Sequence, residues 1–149
     1  MLLFLDVDGT LIPFGGTGYV LHHPDSPNPL LARLDPAHGP RLAALRCELV
    51  WATTWLSDAN DLIAPLLGLA PLPVVSWPDE DSPPGLHWKT RFLVEYAAGR
   101  PFVWLDDEVA DADREWVARH HPGDALLHKV DPRVGLTGAD YALVADWTS

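Results

Sequence analysis

The feature that most constrains the fold is the recurrence of short, almost uniformly apolar segments separated by longer amphipathic ones. Apolar segments of this kind, rich in Val, Leu and Trp, are typical of parallel strands that helices cover on both faces. Five segments fit this description: Leu2–Val7, Cys47–Thr53, Pro73–Trp77, Pro101–Leu105 and Ala125–Val130. Strands that alternate with helices favour a parallel sheet with right-handed crossovers. The sequence therefore predicts an α/β fold.

The segments between and after these strands favour helices. Ser57 and Gly68 bound the first, since serine is a common N-cap residue and glycine commonly follows the last helical turn. Leu86–Ala98 and Ala110–His120 are predicted to form two more helices. A capping-box pattern that begins at Thr137 predicts a last helix near the end of the chain.

Residues 12–40 interrupt this alternation. The segment contains six prolines and four glycines, a composition that predicts a long irregular loop or flap. Long irregular segments in compact domains are usually functional or mobile. A length of 149 residues suits one domain with a substantial core. We therefore expect residues 1–149 to form a single domain with a Pro/Gly-rich flap at about 12–40.

Charge and cysteine content narrow the classes of partner. The formal net charge of −11, from 21 acidic and 10 basic residues, opposes nonspecific binding to nucleic acid or to an anionic membrane. A local basic pocket is still compatible with this balance. Cys47 is the only cysteine, so an intrachain disulfide is impossible. Asp6 interrupts the N-terminal apolar run, a pattern that is not typical of a signal peptide. We therefore expect a cytoplasmic protein.

Polar side chains follow three of the predicted strands. They are Asp6 and Asp8 after the first, Thr53 and Thr54 at the end of the second, and Asp106, Asp107 and Glu108 after the fourth. Ligands of open parallel sheets bind beyond the carboxyl ends of the strands. Carboxylates gathered there would repel one another and raise one another's pKa values, a conflict that a divalent cation resolves. Ligands that are all oxygen atoms indicate Mg²⁺ rather than zinc.

Lys89 adds a cation to this group. On the predicted helix it shares one stripe with Leu86, Leu93 and Tyr96, at spacings of three and four residues. A lysine within an otherwise apolar stripe is not explained by packing alone. We expect its ammonium group to reach the carboxylates or an anion bound beside them.

Together these residues resemble the four motifs of the haloacid dehalogenase (HAD) superfamily, in the family's order. The matching segments are LLFLDVDGT with Asp6 and Asp8, LVWAT with Thr53, HWKTRF with Lys89, and VWLDDE with Asp106 and Asp107. The resemblance implies a three-layer, Rossmann-like fold with a five-stranded parallel sheet of order 5-4-1-2-3. Neither interval in which the family inserts a cap domain is long enough to hold one, so the chain resembles the capless class.

The resemblance also implies a role for each motif residue. Asp6 would be the nucleophile that forms an aspartyl-phosphate, and Asp8 the general acid and then the general base. Thr53 and Lys89 would hold the phosphoryl oxygens. Thr54 is the alternative to Thr53.

The metal and substrate contacts follow from the same resemblance. Mg²⁺ would be bound by four residues: Asp6, Asp8 through its backbone carbonyl, Asp106 and Asp107. Glu108 and Asp111 are alternatives to Asp107. Gly9 and Thr10 would form the tight turn after the first strand and, with Thr54, contact the substrate.

The predicted function is a Mg²⁺-dependent phosphomonoester phosphatase. By analogy with capless relatives, the alternatives are a phosphatase for phosphoproteins or nucleic-acid ends and a HAD-fold regulatory module without useful activity. The net charge weighs against a polynucleotide substrate. Trp55 and Trp88 flank motif residues, so each either lines the substrate site or packs in the core, and no histidine is assigned a role.

Overall fold

The computed structural model describes residues 1–149 and contains one sheet of four parallel strands. The strands are β1 (Leu2–Leu5), β2 (Glu48–Trp51), β3 (Phe102–Asp106) and β4 (Ala125–Lys129). Their order is β2-β1-β3-β4, and Leu5 of β1 pairs with Trp51 on one side and Leu105 on the other. The residues that follow β1, β2 and β3 therefore emerge side by side at one edge of the sheet.

The prediction of a fifth strand over Pro73–Trp77 is wrong. The segment makes one isolated parallel bridge, between Val74 and Trp51, at the free side of β2. Only two backbone hydrogen bonds join it to the sheet: Trp51 donates to the Pro73 carbonyl at 2.9 Å, and Val75 donates to the Trp51 carbonyl at 3.0 Å. Proline supplies no N–H for further pairing. The sheet therefore has four strands rather than the predicted five, in the order β2-β1-β3-β4.

Helices cover both faces of the sheet. They are α1 (His38–Ala44), α2 (Ala64–Leu67), α3 (Thr90–Ala97), α4 (Asp111–His120) and α5 (Gly138–Thr148). Leu3 and Leu5 of β1 share a buried cluster with residues of α1, α2 and α5. Leu2 and Phe4 point to the opposite face and share a second cluster with residues of α3 and α4. The alternation of side chains along β1 thus produces three layers.

Helix α3 begins later than predicted. Its first residue is Thr90 rather than Leu86, and Lys89 occupies the N-cap position. Lys89 therefore does not share a helical stripe with Leu86. The backbone before the helix is held elsewhere, because the His87 amide donates to the side chain of Asp113 at 2.9 Å.

The first predicted helix also differs from the expectation at its start. It comprises a π-helical turn, Ala59–Ile63, followed directly by α2, and its N-cap is Asp58 rather than Ser57, without a side-chain cap. Gly68 ends α2 in the left-handed conformation, with φ of 69°, as predicted. A π turn before α2 is consistent with Pro65 near the start of α2, because proline lacks the N–H that a continuous α-helix would use.

Part of the segment predicted as a flap is helical. A 3₁₀ turn, Leu31–Arg33, lies within it, and α1 already begins at His38, so that Gly39 and Pro40 are helical. Gly39 is needed there because a Cβ at this position would overlap the Leu67 carbonyl of α2. None of the helices has both the length and the apolar content that crossing a membrane requires.

Candidate active site

Three charged side chains meet where β1 and β3 end. Asp6 follows β1 and Asp106 is the last residue of β3, and both are buried, with 6% and 1% of their surfaces exposed. Lys89 reaches them from the N-terminus of α3. Its Nζ donates to Asp6 Oδ1 at 3.0 Å and to Asp106 Oδ2 at 2.8 Å. The structure thus brings the predicted lysine to the predicted carboxylates.

Burial and charge act against each other at this cluster. Burial raises the pKa of Asp6 well above its ordinary value; Lys89 opposes this rise and Asp106 adds to it. Burial alone would lower the pKa of Lys89, but the charges of Asp6 and Asp106 together outweigh it, and the pKa is raised. Lys89 is therefore protonated at neutral pH and is the positive charge that the two buried carboxylates share.

Asp107 completes a group of oxygen donors suited to a metal ion. Carboxylate oxygens of Asp6, Asp106 and Asp107 all lie within 4.8 Å of one another. The pKa of Asp107 is raised to about 6, mainly by burial and to a smaller extent by the charge of the neighbouring Asp106. Three carboxylates against one ammonium leave an excess of negative charge, and oxygen ligands are those that Mg²⁺ prefers. The residues present therefore fit Mg²⁺.

The structure distinguishes Asp107 from Glu108 and Asp111, the two alternatives for the fourth predicted metal ligand. Glu108 is exposed, and its amide donates to Asp106 Oδ1 at 3.0 Å, which orients that carboxylate. Asp111 has a side chain that is 92% exposed and pairs with Arg114. Asp107 is thus the one of the three that lies in the cluster.

The glycine after the first motif packs directly against Asp107. Gly9 has φ of +79°, and a Cβ at this position would lie 2.5 Å from the Asp107 Cγ. The Gly9 amide donates to the Ile12 carbonyl at 2.8 Å, which closes a tight turn. Thr10 is fully buried in this turn, and its hydroxyl has no hydrogen-bond partner in the protein. Gly9 therefore gives Asp107 the room that it occupies, and Thr10 is a buried residue of the turn.

Asp8 lies beside this group and is not one of its members. Its Oδ2 accepts a hydrogen bond of 3.1 Å from the indole of Trp55. The Trp55 amide in turn donates to Thr53 Oγ1 at 3.2 Å, and Thr53 is fully buried. Thr54, its rival in the sequence, is exposed. Trp55 thus joins the first two motifs, a contact that the sequence left open.

His87 is a residue of the site that sequence reasoning missed. Its ring Nδ1 accepts a hydrogen bond of 3.1 Å from the Lys89 amide, so the ring carries its proton on Nε2, which lies 3.7 Å from Glu108 Oε2. Burial lowers the pKa of His87. The ring therefore supports the backbone of Lys89 as a neutral group. Proximity to Lys89 in the sequence was its only signal.

Asp113 of α4 is the second missed residue. It is 1% exposed, and its carboxylate accepts hydrogen bonds from the His87 amide at 2.9 Å, the Thr90 hydroxyl at 2.7 Å and the Ala110 amide at 3.0 Å. These bonds tie the backbone on both sides of Lys89 to the loop that follows β3. Its position in the first turn of a helix indicated a capping role but not this one.

One comparison with known proteins identifies a family. Residues 2–141 match a family model described as the HAD domain in Swiss Army Knife RNA repair proteins. The matched range includes all the residues of the cluster. Searches among curated proteins and among solved structures return no significant match.

Proposed function

Because the chain belongs to the family of HAD domains found in Swiss Army Knife RNA repair proteins, we propose that it is a Mg²⁺-dependent phosphatase that acts on RNA ends. The observation that carries the proposal is Lys89, held between the buried carboxylates of Asp6 and Asp106 at the end of two adjacent strands. Phosphomonoesters occur in RNA only at chain ends, since internal phosphates are diesters. A monoester phosphatase of this family therefore has strand termini as its substrates.

In the first step, one Asp6 carboxylate oxygen attacks phosphorus. The bond from phosphorus to the ester oxygen breaks, and Asp8, in its acid form, gives that oxygen its proton. The products are the free hydroxyl of the RNA end and an aspartyl-phosphate on Asp6. The hydrogen bond from Trp55 holds Asp8 in place for this transfer.

In the second step, the Asp8 carboxylate takes a proton from water. The water oxygen attacks phosphorus, and the bond from phosphorus to Asp6 breaks. Inorganic phosphate leaves, and both carboxyl groups return to their starting states. Using one residue as acid and then base is possible because the second step reverses the proton movement of the first.

The remaining residues stabilise charge on the transferred group. Lys89 supplies a fixed positive charge, and the Thr53 hydroxyl, whose oxygen already accepts from Trp55, has its own hydrogen free to donate to a phosphoryl oxygen. Mg²⁺, held by Asp6, Asp106, Asp107 and the Asp8 carbonyl, would neutralise negative charge on the phosphoryl group. Such preorganised charge is the main source of rate enhancement in phosphoryl transfer.

The test is hydrolysis of a phosphorylated RNA oligonucleotide by wild type and by Asp6→Asn. We expect Asp6→Asn to lose at least about 10³-fold in kcat. Asp111→Asn removes an exposed carboxylate outside the cluster and is the matched control, with unchanged turnover expected. Circular dichroism establishes that both variants are folded.

Two further arms separate the alternatives. Removing Mg²⁺ with a chelator should abolish hydrolysis, and adding Mg²⁺ should restore it; hydrolysis that survives chelation contradicts the metal-dependent mechanism. Phosphopeptides and sugar phosphates offered together with the RNA substrate measure preference. Faster hydrolysis of either competitor contradicts RNA ends as the substrate class, and absence of all hydrolysis favours a regulatory module.

A further inference from the structure

One tryptophan beside the cluster is exposed. The chain has seven tryptophans, and Trp88 is the most exposed of them, with 38% of its surface accessible to solvent. The others are buried or half-buried. The exposed part of this indole is an apolar surface next to Lys89 on which a ligand can pack.

The indole of Trp88 is held in place by two other rings. His87 stacks beside it, with ring centroids 5.5 Å apart and planes at 27°. Trp77 meets it edge to face at 4.9 Å and 80°, and the Trp77 indole itself donates to the Thr53 carbonyl at 3.0 Å. A ring fixed in this way loses little conformational entropy when a ligand packs on it.

Trp88 also lies close to the groups proposed to carry out the chemistry. The Lys89 Nζ is 5.6 Å from the centroid of the Trp88 ring, and the same nitrogen is 3.0 Å from Asp6 Oδ1. A phosphate held by Lys89 therefore places the nucleoside to which it is attached within reach of the indole.

We propose that Trp88 is a stacking platform for the base of the nucleotide that carries the terminal phosphate. This proposal rests on the proposed function and names the part of the RNA end that the site recognises. Stacking suits a site without sequence preference, because every base has a π-face. It also suits an open site, since no cap domain encloses the substrate.

The surrounding charge limits recognition to this one nucleotide. The loop that joins Trp77 to Trp88 carries three acidic residues, Asp79, Glu80 and Asp81, and Glu80 is paired with Arg91 at 2.9 Å. Carboxylates here oppose the phosphodiesters of a longer strand. Binding therefore relies on the terminal phosphate and its base, and a strand of two nucleotides should be hydrolysed about as well as one of ten.

The experiment compares two RNA substrates that differ only in the terminal base, one natural and one abasic. With wild type we expect kcat/KM to be roughly 10-fold higher for the natural end, the size expected for one stacked base. Trp88→Leu should reduce this ratio to near one, whereas Trp88→Phe, which keeps an aromatic face, should retain most of it. Leu143→Ala, which alters an exposed apolar residue of α5, is the control and should leave the ratio unchanged.

The outcomes distinguish this proposal from the function on which it rests. The stacking platform is overturned if wild type hydrolyses both RNA substrates with the same kcat/KM, or if the ratio is unchanged in Trp88→Leu. Neither result contradicts the proposed phosphatase activity. Failure of wild type to hydrolyse either substrate, with activity on another phosphomonoester, overturns RNA ends as the substrate. The Asp6→Asn protein gives a second readout that is independent of turnover: it should bind the natural RNA end more tightly than the abasic one, as measured by quenching of tryptophan fluorescence, and equal affinities overturn the stacking platform.

Discussion

At the scale of single residues, the site depends on charges placed where burial disfavours them. Asp6 and Asp106 are nearly inaccessible to water, and each is stabilised by the one ammonium of Lys89. Removing one partner of a buried pair leaves an uncompensated charge. The cost of removing these charges from water also offsets their attraction, so the three groups constrain the geometry of the site more than they stabilise the fold.

Gly9 provides a test at this scale. Replacing it with alanine should lower the free energy of unfolding, because the new Cβ overlaps the Asp107 carboxyl group as well as straining a backbone with φ of +79°. Gly18→Ala is the matched control, since Gly18 has φ of +70° and no atom within 4 Å of the added Cβ. Urea denaturation should show a loss at least about 1 kcal/mol larger for Gly9→Ala.

Measuring hydrolysis by the same two variants completes this test. Displacement of Asp107 should reduce hydrolysis in Gly9→Ala at least about 10-fold, whereas Gly18→Ala should remain active. Equal losses of stability and activity in the two variants would mean that the contact between Gly9 and Asp107 is unimportant.

At the scale of elements, the site depends on how α3 and α4 are joined. Lys89 is delivered by an N-cap position, and its backbone is fixed by the ring of His87 and by the carboxylate of Asp113. Asp113 accepts three hydrogen bonds from groups on both elements. It thus positions the backbone on both sides of Lys89.

Asp113→Ala should reduce both stability and activity. It leaves three donors without their acceptor, and burial of even one unsatisfied donor costs about 1–3 kcal/mol. We expect at least about 2 kcal/mol loss in the free energy of unfolding. We also expect a fall in kcat, because Lys89 is no longer fixed. Asp111→Ala, in the same helical turn but exposed, should change stability by less than about 0.5 kcal/mol. A fully active Asp113→Ala would contradict the positioning role.

At the scale of the whole molecule, the topology of the sheet and the net charge bear on the site. The parallel sheet brings the ends of β1, β2 and β3 to one edge, which joins residues that are up to a hundred positions apart. The formal net charge of the protein is −11. A protein with this charge gains little from the polyanionic character of RNA, so the recognition of an RNA end that we propose must be local.

Ionic strength tests this conclusion. A protein that neutralises several phosphates loses about 10³-fold in affinity between 50 and 200 mM salt. Here we expect kcat/KM for a phosphorylated RNA end to change less than about 3-fold over the same range at constant Mg²⁺, since few cations contact the strand. A fall of about 100-fold or more would reveal cationic contacts along the backbone and contradict recognition of the terminal nucleotide alone.

Several features of this protein were predicted from the sequence by itself. The apolar segments located all four strands, and the polar residues after them identified Asp6, Asp106 and Asp107 as neighbours. The resemblance to the HAD superfamily is confirmed by the family match over residues 2–141. These features are local, because a run of apolar residues and the acids that end it lie within a few positions of one another. The parallel arrangement of the strands then brings these acids together at one edge of the sheet.

The tertiary structure decided what depends on contacts between distant segments. The segment Pro73–Trp77 has the composition of a strand but lies at the free side of β2, where its proline limits pairing. Asp113 anchors the backbone around Lys89 only because α4 packs beside α3, and Trp88 stays exposed because no segment covers it. Propensity and periodicity describe a residue's own neighbourhood in the chain. Which distant groups satisfy its hydrogen bonds, or leave it open to solvent, is determined by packing.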